Sequence, residues 1–424
     1  MDTPSATRRK APAPRVERAG GAAGHGRPVA CIVSSSFDRD PRARKVVASL
    51  AGMGLRVVVI AWDREGRGRT AEAPGDHAVV WLGPRSQPGR GLRQLPALLA
   101  FWLGTIRLLL ANDFAAYHCN RFDTLLPALL ACLGRRRPIV YDLHTSYADR
   151  LRIHDRQPGM KLVRGLVAAA EGFAVRRLAA HCFTDSAPFT RELRSRGARS
   201  ASTLLNVPRL DFGRGARPRQ ARAAPVVVGR IGAFSAQLGQ GADDLFHVLR
   251  RNDEEGRPVD LRLLLVGNFV PASYRAEVAA RAEDARVTLC DYVPHEAVPA
   301  WYARLDVAVI AYDVAGGARY SRLASAQKVF EAMAMGVPMV LLANPYMEAL
   351  VRRLGCGVVP ERRDFEGIYG AVLHLARDGA LRERMGRAGR RAFVRRYHWE
   401  REEEELARVY RRVLAPEPRG AAAR

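Results

Sequence analysis

Apolar runs that are too short for helices alternate with segments of helical periodicity along the first half of the chain. Residues 29–33 form an uninterrupted apolar run, which is typical of a strand buried on both faces. Asp40 and Pro41 then mark a helix start, because Asp favours the N-cap and Pro the first helical turn. Further strands are predicted at 55–62, 78–82, 115–119, 138–143 and 180–184, with a helix at 122–133. Strands separated by helices indicate βαβ units and a parallel sheet.

The second half of the chain repeats this rhythm after a break in composition. Residues 207–224 are rich in Pro, Arg, Gly and Ala and have little periodicity, so we interpret them as an interdomain linker. The strands predicted beyond it lie at 225–231, 261–266, 287–290, 307–312, 339–342 and 357–359. The pattern therefore predicts an α/β fold with two Rossmann-like, doubly wound parallel-sheet domains that face a central cleft.

Domain boundaries follow from the same pattern. We predict a first domain over residues 28–206 and a second over 225–396. Residues 397–414 have the pattern of one amphipathic helix, for which a return to the first domain is left open. Residues 1–27 and 415–424 lack apolar periodicity and are predicted to be disordered tails. Because open α/β sheets bind ligands at the carboxyl ends of their strands, the cleft is the expected site.

The net charge of the chain bears on its ligands and does not change the predicted fold. The formal net charge is +25, and the chain has 64 arginines but only four lysines. The arginines are scattered and no nucleic-acid-binding module is recognisable, so no nucleic-acid partner is predicted. A phosphorylated ligand or an anionic membrane surface suits this charge better. The six cysteines are far apart and no histidine cluster has metal-ligand spacing, so no metal site is predicted.

One apolar segment raises the question of a membrane. Residues 95–111 are almost wholly apolar, but Gly104 and Arg107 interrupt them and the run is short for a bilayer span. The segment is either a core helix or a helix that touches a membrane surface. Residues 1–27 contain no apolar stretch of the signal-peptide type. We therefore expect a cytoplasmic protein and leave open a peripheral contact at the inner face of the membrane.

A helix predicted near residue 330 carries candidate chemistry. Ser325 is a suitable N-cap, and Gly336 followed by Pro338 ends the helix. Lys328 and Glu331 are separated by one helical turn and therefore share a face. A helix N-terminus with a lysine suits a diphosphate, and a carboxylate one turn later can accept both hydroxyls of a ribose. The spacing also fits an ordinary surface ion pair, but Lys328 is the only lysine of the predicted second domain.

The segment SAQKVFEAMAMGVPMV, which begins at Ser325, resembles the donor-binding motif of the GT-B glycosyltransferases of family 4, also called glycosyltransferases group 1. Members often have K-L-F-E-A-M-A-x-G-x-P-V-V there, and the resemblance runs from residue 29 to residue 413. The order and spacing of several landmarks together make it specific. They are FDRDPRARK from Phe37, FDTLL from Phe122, VYDLH ending at His144, TDS from Thr184, LNVP from Leu205, DYVPHE from Asp291 and YHWE from Tyr397.

The resemblance implies three catalytic residues. Glu331 would bind the ribose of the nucleotide, and Lys328 would lie near the diphosphate. His144, at the end of a predicted strand of the first domain, would contact the transferred sugar or its phosphate. Taken alone, His144 could equally be a buried core histidine.

Further donor-binding residues are implied on the second domain. Gly232 would let backbone amides approach the phosphates, since a side chain there would block them. Arg230 is a candidate phosphate partner. Tyr292 and Val293 would flank the base, and Gln240 stands in a phosphate-binding turn.

The acceptor side of the cleft is assigned to the first domain. The polar loop after the first predicted strand would face the acceptor and contributes Ser36, Asp38 and Arg39. His118 and Asp123 lie near the end of another predicted strand and are further acceptor-side candidates.

Two positions depart from the family pattern. Many members have a glutamate where this chain has Leu323, and a Lys-Gly pair where it has Gln240-Gly241. The resemblance implies transfer of a sugar from a UDP- or GDP-linked donor to an acceptor hydroxyl, with retention of configuration and no required cofactor. The acceptor could be a small molecule, a lipid-linked sugar or a polysaccharide. A sugar-nucleotide epimerase of the same fold is an alternative, and the two departures also permit a degenerate transferase that acts as a partner subunit.

Overall fold

A computed structural model describes residues 26–66, 71–72, 77–86, 94–143, 147, 151, 159–215, 224–235, 241–312 and 323–415. The tails predicted at the two ends and residues 216–223 of the predicted linker lie largely or wholly outside these ranges. The strands form two sheets of eight and six strands. The predicted α/β architecture with two doubly wound domains is confirmed.

The first sheet is made of nearly continuous apolar strands. They are β1 (Val29–Val33), β2 (Val57–Trp62), β3 (Ala71–Glu72), β4 (His77–Leu82), β5 (Ala116–Asn120), β6 (Ile139–Leu143), β7 (His181–Thr184) and β8 (Ala201–Thr203). The sheet order is β3-β4-β2-β1-β5-β6-β7-β8, and every pair is parallel except β3 with β4. Successive strands are added first on one side of β1 and then on its other side, beginning with β5. The gap between β1 and β5 is therefore the switch point of the sheet, where ligands of such sheets bind.

Helices cover both faces of this sheet, which is why its strands are apolar on both sides. One face carries α1 (Pro41–Gly52), and Asp40 caps this helix as predicted, accepting a hydrogen bond from Ala43 N at 3.0 Å. The other face carries α2 (Leu95–Ala111), α3 (Phe122–Gly134), α4 (Met160–Arg177) and α5 (Ala187–Ser195). In the described ranges, no helix is both long and apolar enough to cross a membrane.

The second sheet is wholly parallel. Its strands are β9 (Val226–Ile231), β10 (Leu261–Val266), β11 (Val287–Cys290), β12 (Val307–Ala311), β13 (Met339–Leu342) and β14 (Gly357–Val358), in the order β11-β10-β9-β12-β13-β14. The order in which strands are added reverses between β9 and β12, so the switch point of this sheet lies between them. The helices that follow are α6 (Asp243–Asp253), α7 (Ala272–Arg281), α8 (Val298–Tyr302), α9 (Gln327–Met335), α10 (Pro345–Leu354), α11 (Phe365–Arg377) and α12 (Gly379–Arg395).

The last helix, α13 (Trp399–Val413), packs against the first sheet and α1. Trp399 and Leu406 are completely buried in the apolar cluster that also contains the core face of α1. Trp399 Nε1 donates to Ser49 Oγ at 2.8 Å. Tyr410 Oη lies 2.9 Å from His118 Nδ1 on β5. The end of the chain is therefore part of the core beneath the first sheet.

The chain crosses from the first sheet to the second beside the first turn of α13. Glu402 accepts a hydrogen bond from Leu205 N at 2.7 Å, and Glu400 accepts one from Leu210 N at 2.9 Å. Val207 between them is completely buried. The helix dipole favours carboxylates at a helix N-terminus. These carboxylates of α13 hold the crossing segment in place by accepting hydrogen bonds from its backbone N–H groups.

Helix α9 begins later than the sequence predicts. Ala326 occupies the N-cap position, and no side chain caps the helix. Ser325 precedes the cap, and its backbone N–H donates to Asp185 Oδ2 of the first domain at 3.3 Å. The C-terminus agrees with the prediction, because Gly336 adopts the left-handed conformation with φ of 65°.

Replacement of Leu406 by Ala should destabilise the whole protein by about 2–5 kcal/mol, because it leaves a cavity where the side chain is completely buried. Denaturant unfolding of the full chain measures this loss. Glu404→Ala on the same helix is the matched control, since Glu404 is exposed and should change stability by no more than about 0.5 kcal/mol. Equal stability of the two variants would show that α13 is not part of the core.

Candidate active site

Two glycines end neighbouring strands of the second sheet next to its switch point. Gly232 follows β9 with φ of 129°, and Gly267 follows β10 with φ of 151°. A Cβ atom on Gly267 would collide with the carbonyl oxygen of Gly232, and one on Gly232 would collide with Cε of Lys328. Only backbone fits between these elements. Such a turn can hold backbone amides close to an anion.

Lys328 is the cation that lies against Gly232. It belongs to the first turn of α9, and its Nζ is 5.6 Å from the ring centre of Tyr312, which follows β12. Burial, and then the positive charge of Arg230, lower the pKa of Lys328 to about 8, although Glu331 opposes them. Most of the lysine is therefore charged at neutral pH and can attract a phosphate.

Glu331 is a buried carboxylate with three polar neighbours. Gln327 Nε2 donates to its Oε1 at 2.7 Å, His295 Nε2 lies 3.1 Å from the same atom, and Tyr302 Oη lies 3.4 Å from Oε2. Burial raises the pKa of Glu331, but the bonds from His295 and Gln327 and the charge of Lys328 outweigh burial, so its pKa lies below the usual value. The group is therefore an ionised acceptor with a defined orientation.

A chain of hydrogen bonds links Glu331 to the first domain. Gln327 accepts a bond from Asn206 Nδ2 at 2.7 Å, and Asn206 Oδ1 accepts one from Lys45 Nζ at 3.0 Å. Lys45 lies over the Trp399 ring at 4.7 Å. Burial, and then the charge of Arg42, lower the pKa of Lys45 to about 7. The orientation of the carboxylate is thus tied to the packing between the domains.

Residues from the two domains meet across the cleft. The Arg39 guanidinium lies 5.6 Å from the ring centre of Tyr292, for which contact with the base stays a prediction of the family resemblance. Arg44 Nη1 is 2.5 Å from Glu296 Oε1, and both side chains are largely exposed. Ion pairs of this exposure contribute little to stability, so they permit rather than enforce closure of the cleft.

Polar atoms also collect at the switch point of the first sheet. Ser34 follows β1, and Asn120 ends β5 beside Val33. Within the described residues, Ser34 Oγ and Asn120 Oδ1 are buried and have no hydrogen-bond partner. Arg121 is the only described non-glycine residue with positive φ, at 96°. Strained backbone and unsatisfied polar atoms are typical of binding sites.

Arg230, the candidate phosphate partner, has protein partners that the sequence did not predict. Its side chain is almost completely buried, and its guanidinium donates to the Asp244 carboxylate and to the carbonyl oxygens of Gly241 and Val309. Protein acceptors hold three of the five N–H groups of this guanidinium, and its role as a direct phosphate ligand stays a prediction. Its position at the end of β9 lets it fix the turn and raise the local positive potential around Lys328.

His118 likewise has partners that the sequence did not predict. It lies within β5, two residues before the end of the strand, and its buried side chain contacts Tyr410 of α13 and lies 3.9 Å from Asp142. Side chains alternate between the faces of a strand, so His118 points into the layer between the sheet and α13. The structure therefore places His118 in the packing between β5 and α13, and its role on the acceptor side stays a prediction.

The other described candidates lie at the edge of the cleft. Ser36 is partly exposed at the start of a short 3-10 turn, which contains the exposed Asp38. Asp123 lies in the first turn of α3 and is partly buried. Val293 is half-buried and packs on the second domain after β11. These positions are compatible with contact to a ligand, and their roles stay predictions.

Two candidates, His144 and Gln240, lie outside the described residues. Strand β6 ends at Leu143, so the strand that leads to His144 ends at the same sheet edge as β1 and β5. The roles of both residues stay predictions.

Sequence reasoning missed the residues that hold Glu331. His295 belongs to the DYVPHE landmark, and Gln327 precedes Lys328, so both stood inside recognised segments. Their pairing with Glu331 depends on the approach of the turn before α8 to α9, which local spacing does not encode. Tyr302 carried no signal, because an aromatic residue on a short helix is usually a core residue.

Two family models match consecutive parts of the chain. One, described as Glycosyl transferase 4-like domain, matches residues 40–208, and the other, described as Glycosyl transferases group 1, matches residues 225–378. The two matches fall on the two sheets and define a two-domain transferase with the GT-B fold. The chain belongs to the glycosyltransferases of the family 4 or group 1 type. A search of the curated proteins found no match.

Solved structures share this fold at low sequence identity. A sucrose-phosphate synthase from Thermosynechococcus elongatus is similar with a TM-score of 0.73 and 17% identity, over 92% of this chain and 100% of that chain. WaaG, a glycosyltransferase involved in lipopolysaccharide biosynthesis, has a TM-score of 0.64 and 13% identity, over 90% and 99%. Anabaena HepE in complex with UDP and glucose has a TM-score of 0.63 and 14% identity, also over 90% and 99%.

Gly232→Ala should lower stability by about 1–3 kcal/mol, because the residue is left-handed and the new methyl group meets Lys328. Thermal and denaturant unfolding measure the loss. The matched control is Gly256→Ala, since a Cβ atom there meets nothing within 4 Å and the backbone is not left-handed. If both variants had the stability of the parent, the positive φ described for Gly232 would be wrong, because the flexible end of Lys328 can move away from the methyl group.

Proposed function

We propose that this glycosyltransferase moves a hexosyl group from a nucleoside-diphosphate sugar to an acceptor hydroxyl, with retention of configuration. The observation that carries the proposal is the set of three features on one sheet edge: the Gly232 turn, Lys328 and the ionised Glu331. A turn that excludes side chains and a cation suit a diphosphate. An oriented carboxylate suits the two hydroxyls of a ribose.

The chemistry of transfer follows from charge. The bond between the sugar C1 and the diphosphate oxygen breaks, and the electron pair leaves with the diphosphate. The acceptor oxygen forms the new bond to C1, and its proton passes to the oxygen of the leaving diphosphate. Lys328, the backbone amides at Gly232 and the N-terminus of α9 would neutralise the negative charge that develops on the leaving group. UDP is the first nucleotide to test, because HepE, of the same fold, was solved with UDP and with UDP-glucose.

The sugar end of the donor site is where this chain departs from many relatives. Leu323 packs against the apolar cluster of the first sheet, and its carbonyl oxygen accepts a hydrogen bond from Ser186 Oγ. The neighbouring Asp185 contacts Ser325 N, so a carboxylate from the first domain stands next to this segment. We propose that Asp185 supplies the negative charge beside the donor sugar that Leu323 cannot supply.

The acceptor would bind at the switch point of the first sheet. Ser34 Oγ and Asn120 Oδ1 can bond to acceptor hydroxyls, since protein groups do not satisfy them in the described residues. Arg39 and Arg121 lie around this point and suit an acceptor that carries a negative charge. Small-molecule, lipid-linked and polysaccharide acceptors share such hydroxyls.

Glu331→Gln should weaken the binding of both UDP and uridine by at least about tenfold, because a charged hydrogen bond to the ribose is worth about 1.5–3 kcal/mol. Isothermal titration calorimetry measures both affinities. Glu283→Gln is the control, since Glu283 is exposed in the same domain. Unchanged affinity of Glu331→Gln for both ligands would exclude the proposed ribose contact.

The affinity for UDP should fall as the pH rises through about 8, because Lys328 loses its proton there while phosphate binding favours the charged form. Lys328→Met should bind UDP weakly at every pH and keep its affinity for uridine. The ratio of parent to Lys328→Met affinity cancels titration of the ligand, and it should drop about tenfold between about pH 7 and about pH 9. A constant ratio would show that Lys328 does not contact the diphosphate.

A degenerate transferase that acts as a partner subunit remains the second candidate, because the acidic residue common in relatives is Leu323 here. Transfer of glucose from UDP-glucose to a panel of sugar acceptors, followed by mass spectrometry, separates the two. Turnover that Asp185→Asn abolishes without loss of UDP binding supports the transferase and the role of Asp185. Full binding of UDP-glucose with no product on any acceptor would favour the partner subunit.

A further inference from the structure

We propose that the outer face of helices α2, α3 and α4 binds the surface of an anionic lipid membrane. This face, which we call the leucine face, lies on the side of the first sheet away from α1 and α13. The inference is independent of the proposed function, since it concerns a surface that contains none of the donor-site residues. Its exposed large apolar side chains are Leu95, Leu99, Leu103, Leu110, Leu130, Leu133, Leu162, Val163, Leu166 and Phe173.

Helix α2 shows the exposure of apolar side chains most clearly. An outer helix of a two-sided sheet normally has charged residues toward water. In α2 the exposed stripe instead repeats leucine at Leu95, Leu99 and Leu103, which are 45–55% exposed, and Arg107 is the only charged residue of the helix. The inward side is apolar as well, because Phe101 and Leu109 are completely buried. The stripe is therefore not needed for the core.

Helices α3 and α4 extend the same face. Leu133 near the end of α3 is 86% exposed, and α2 and α3 pack side by side. Helix α3 connects β5 to β6, and α4 connects β6 to β7, so α4 lies next to α3 on the same side of the sheet. Tyr141 of β6 donates to Glu171 of α4 at 2.7 Å and anchors this helix. Leu162 and Leu166 are then left outward, at 68% and 63% exposed.

Charge identifies the occupant of the leucine face. The three helices contain only two carboxylates, Asp123 and Glu171; the first is partly buried and the second is buried. The exposed charged residues of the three helices are cations, namely Arg107, Lys161, Arg176 and Arg177. Beside the helices, Arg135 and Arg136 are exposed as well, and the exposed Asp113 after α2 is paired with Arg27, Arg135 and Arg137. Leucines surrounded by an excess of cations match an anionic lipid surface, in which the leucines enter the interface and the cations meet the headgroups.

A second copy of this chain fits the same face poorly. Two leucine faces would bring their cations together, and like charges oppose such an interface. A lipid bilayer offers negative headgroups and apolar chains at the same place. The helices would lie along the interface and not cross it, in agreement with the length and hydropathy of every described helix.

The position of the leucine face gives binding a consequence. Leu95 and Leu162 stand in the first turns of α2 and α4. Because the helices of parallel βα units begin at the carboxyl ends of the strands, these leucines lie toward the sheet edge of Ser34 and Asn120. The face therefore begins on the side of the cleft, and docking would hold the acceptor side of the cleft near the lipid. This last step rests on the proposed function, whereas the docking itself does not.

The test is co-sedimentation of the full chain with vesicles. Vesicles of phosphatidylcholine containing about one third phosphatidylglycerol should bind the protein at least about tenfold more tightly than pure phosphatidylcholine. High salt should weaken this binding by screening. The double variant Leu99→Glu/Leu103→Glu should bind the anionic vesicles at least about tenfold more weakly, because it places two acids in the exposed stripe. Val394→Glu is the control, since Val394 is similarly exposed on α12 of the second domain.

Several outcomes would overturn the proposal. They are no binding to the anionic vesicles, equal binding of the double variant, or a dimer in light scattering that the double variant dissociates, which would assign the face to a second copy. The melting temperature and UDP affinity of the double variant should equal those of the parent, so that lost docking is not unfolding. A protein that binds anionic vesicles but not UDP would keep this proposal and contradict the proposed function.

Discussion

The burial of α13 under the first sheet is the constraint on which the rest of the structure depends. Trp399, Leu406 and Tyr410 can leave water only by packing against α1 and the first sheet, although the chain has already passed through the second domain. That return forces the crossing segment to lie beside the first turn of α13, where Glu400 and Glu402 hold its backbone. The two sheets are therefore joined by two chain passages, and their switch points face one cleft.

The donor site is connected to the same crossing segment between the two domains. Asn206 of the crossing segment bonds to Gln327, and Gln327 bonds to Glu331. Burial by itself would raise the pKa of Glu331 and disfavour its charged form. The hydrogen bonds from Gln327 and His295 lower the pKa again, so the buried carboxylate stays ionised. The contacts that join the two domains therefore also set the charge and the orientation of the donor-site carboxylate.

The fold was predictable because its signals are local. Continuous apolar runs such as β1 and β9, with helices between them, predict parallel sheets covered on both sides, and each predicted strand is observed within two residues of its expected bounds. The short strands β3 and β8, which lack such apolar runs, were not predicted. Lys328 and Glu331 were predictable because one helical turn puts them on one face. The protein partners of His118 and Arg230 were not predictable, for a shared reason. Each lies at or near a strand end, but its partners, Tyr410 and Asp244, come from distant or separate elements.

The sequence by itself determined the two-domain fold, the family and the helix that carries Lys328 and Glu331. Periodicity and order along the chain express these features directly. Only the tertiary structure decided which polar groups are already satisfied by protein, such as Arg230, and which are not, such as Ser34 Oγ and Asn120 Oδ1 among the described residues. It also decided that the apolar helix α2 is both a core helix and an exposed leucine stripe. The physical reason is that burial and hydrogen-bond pairing are properties of neighbours brought together by folding, which local spacing does not contain.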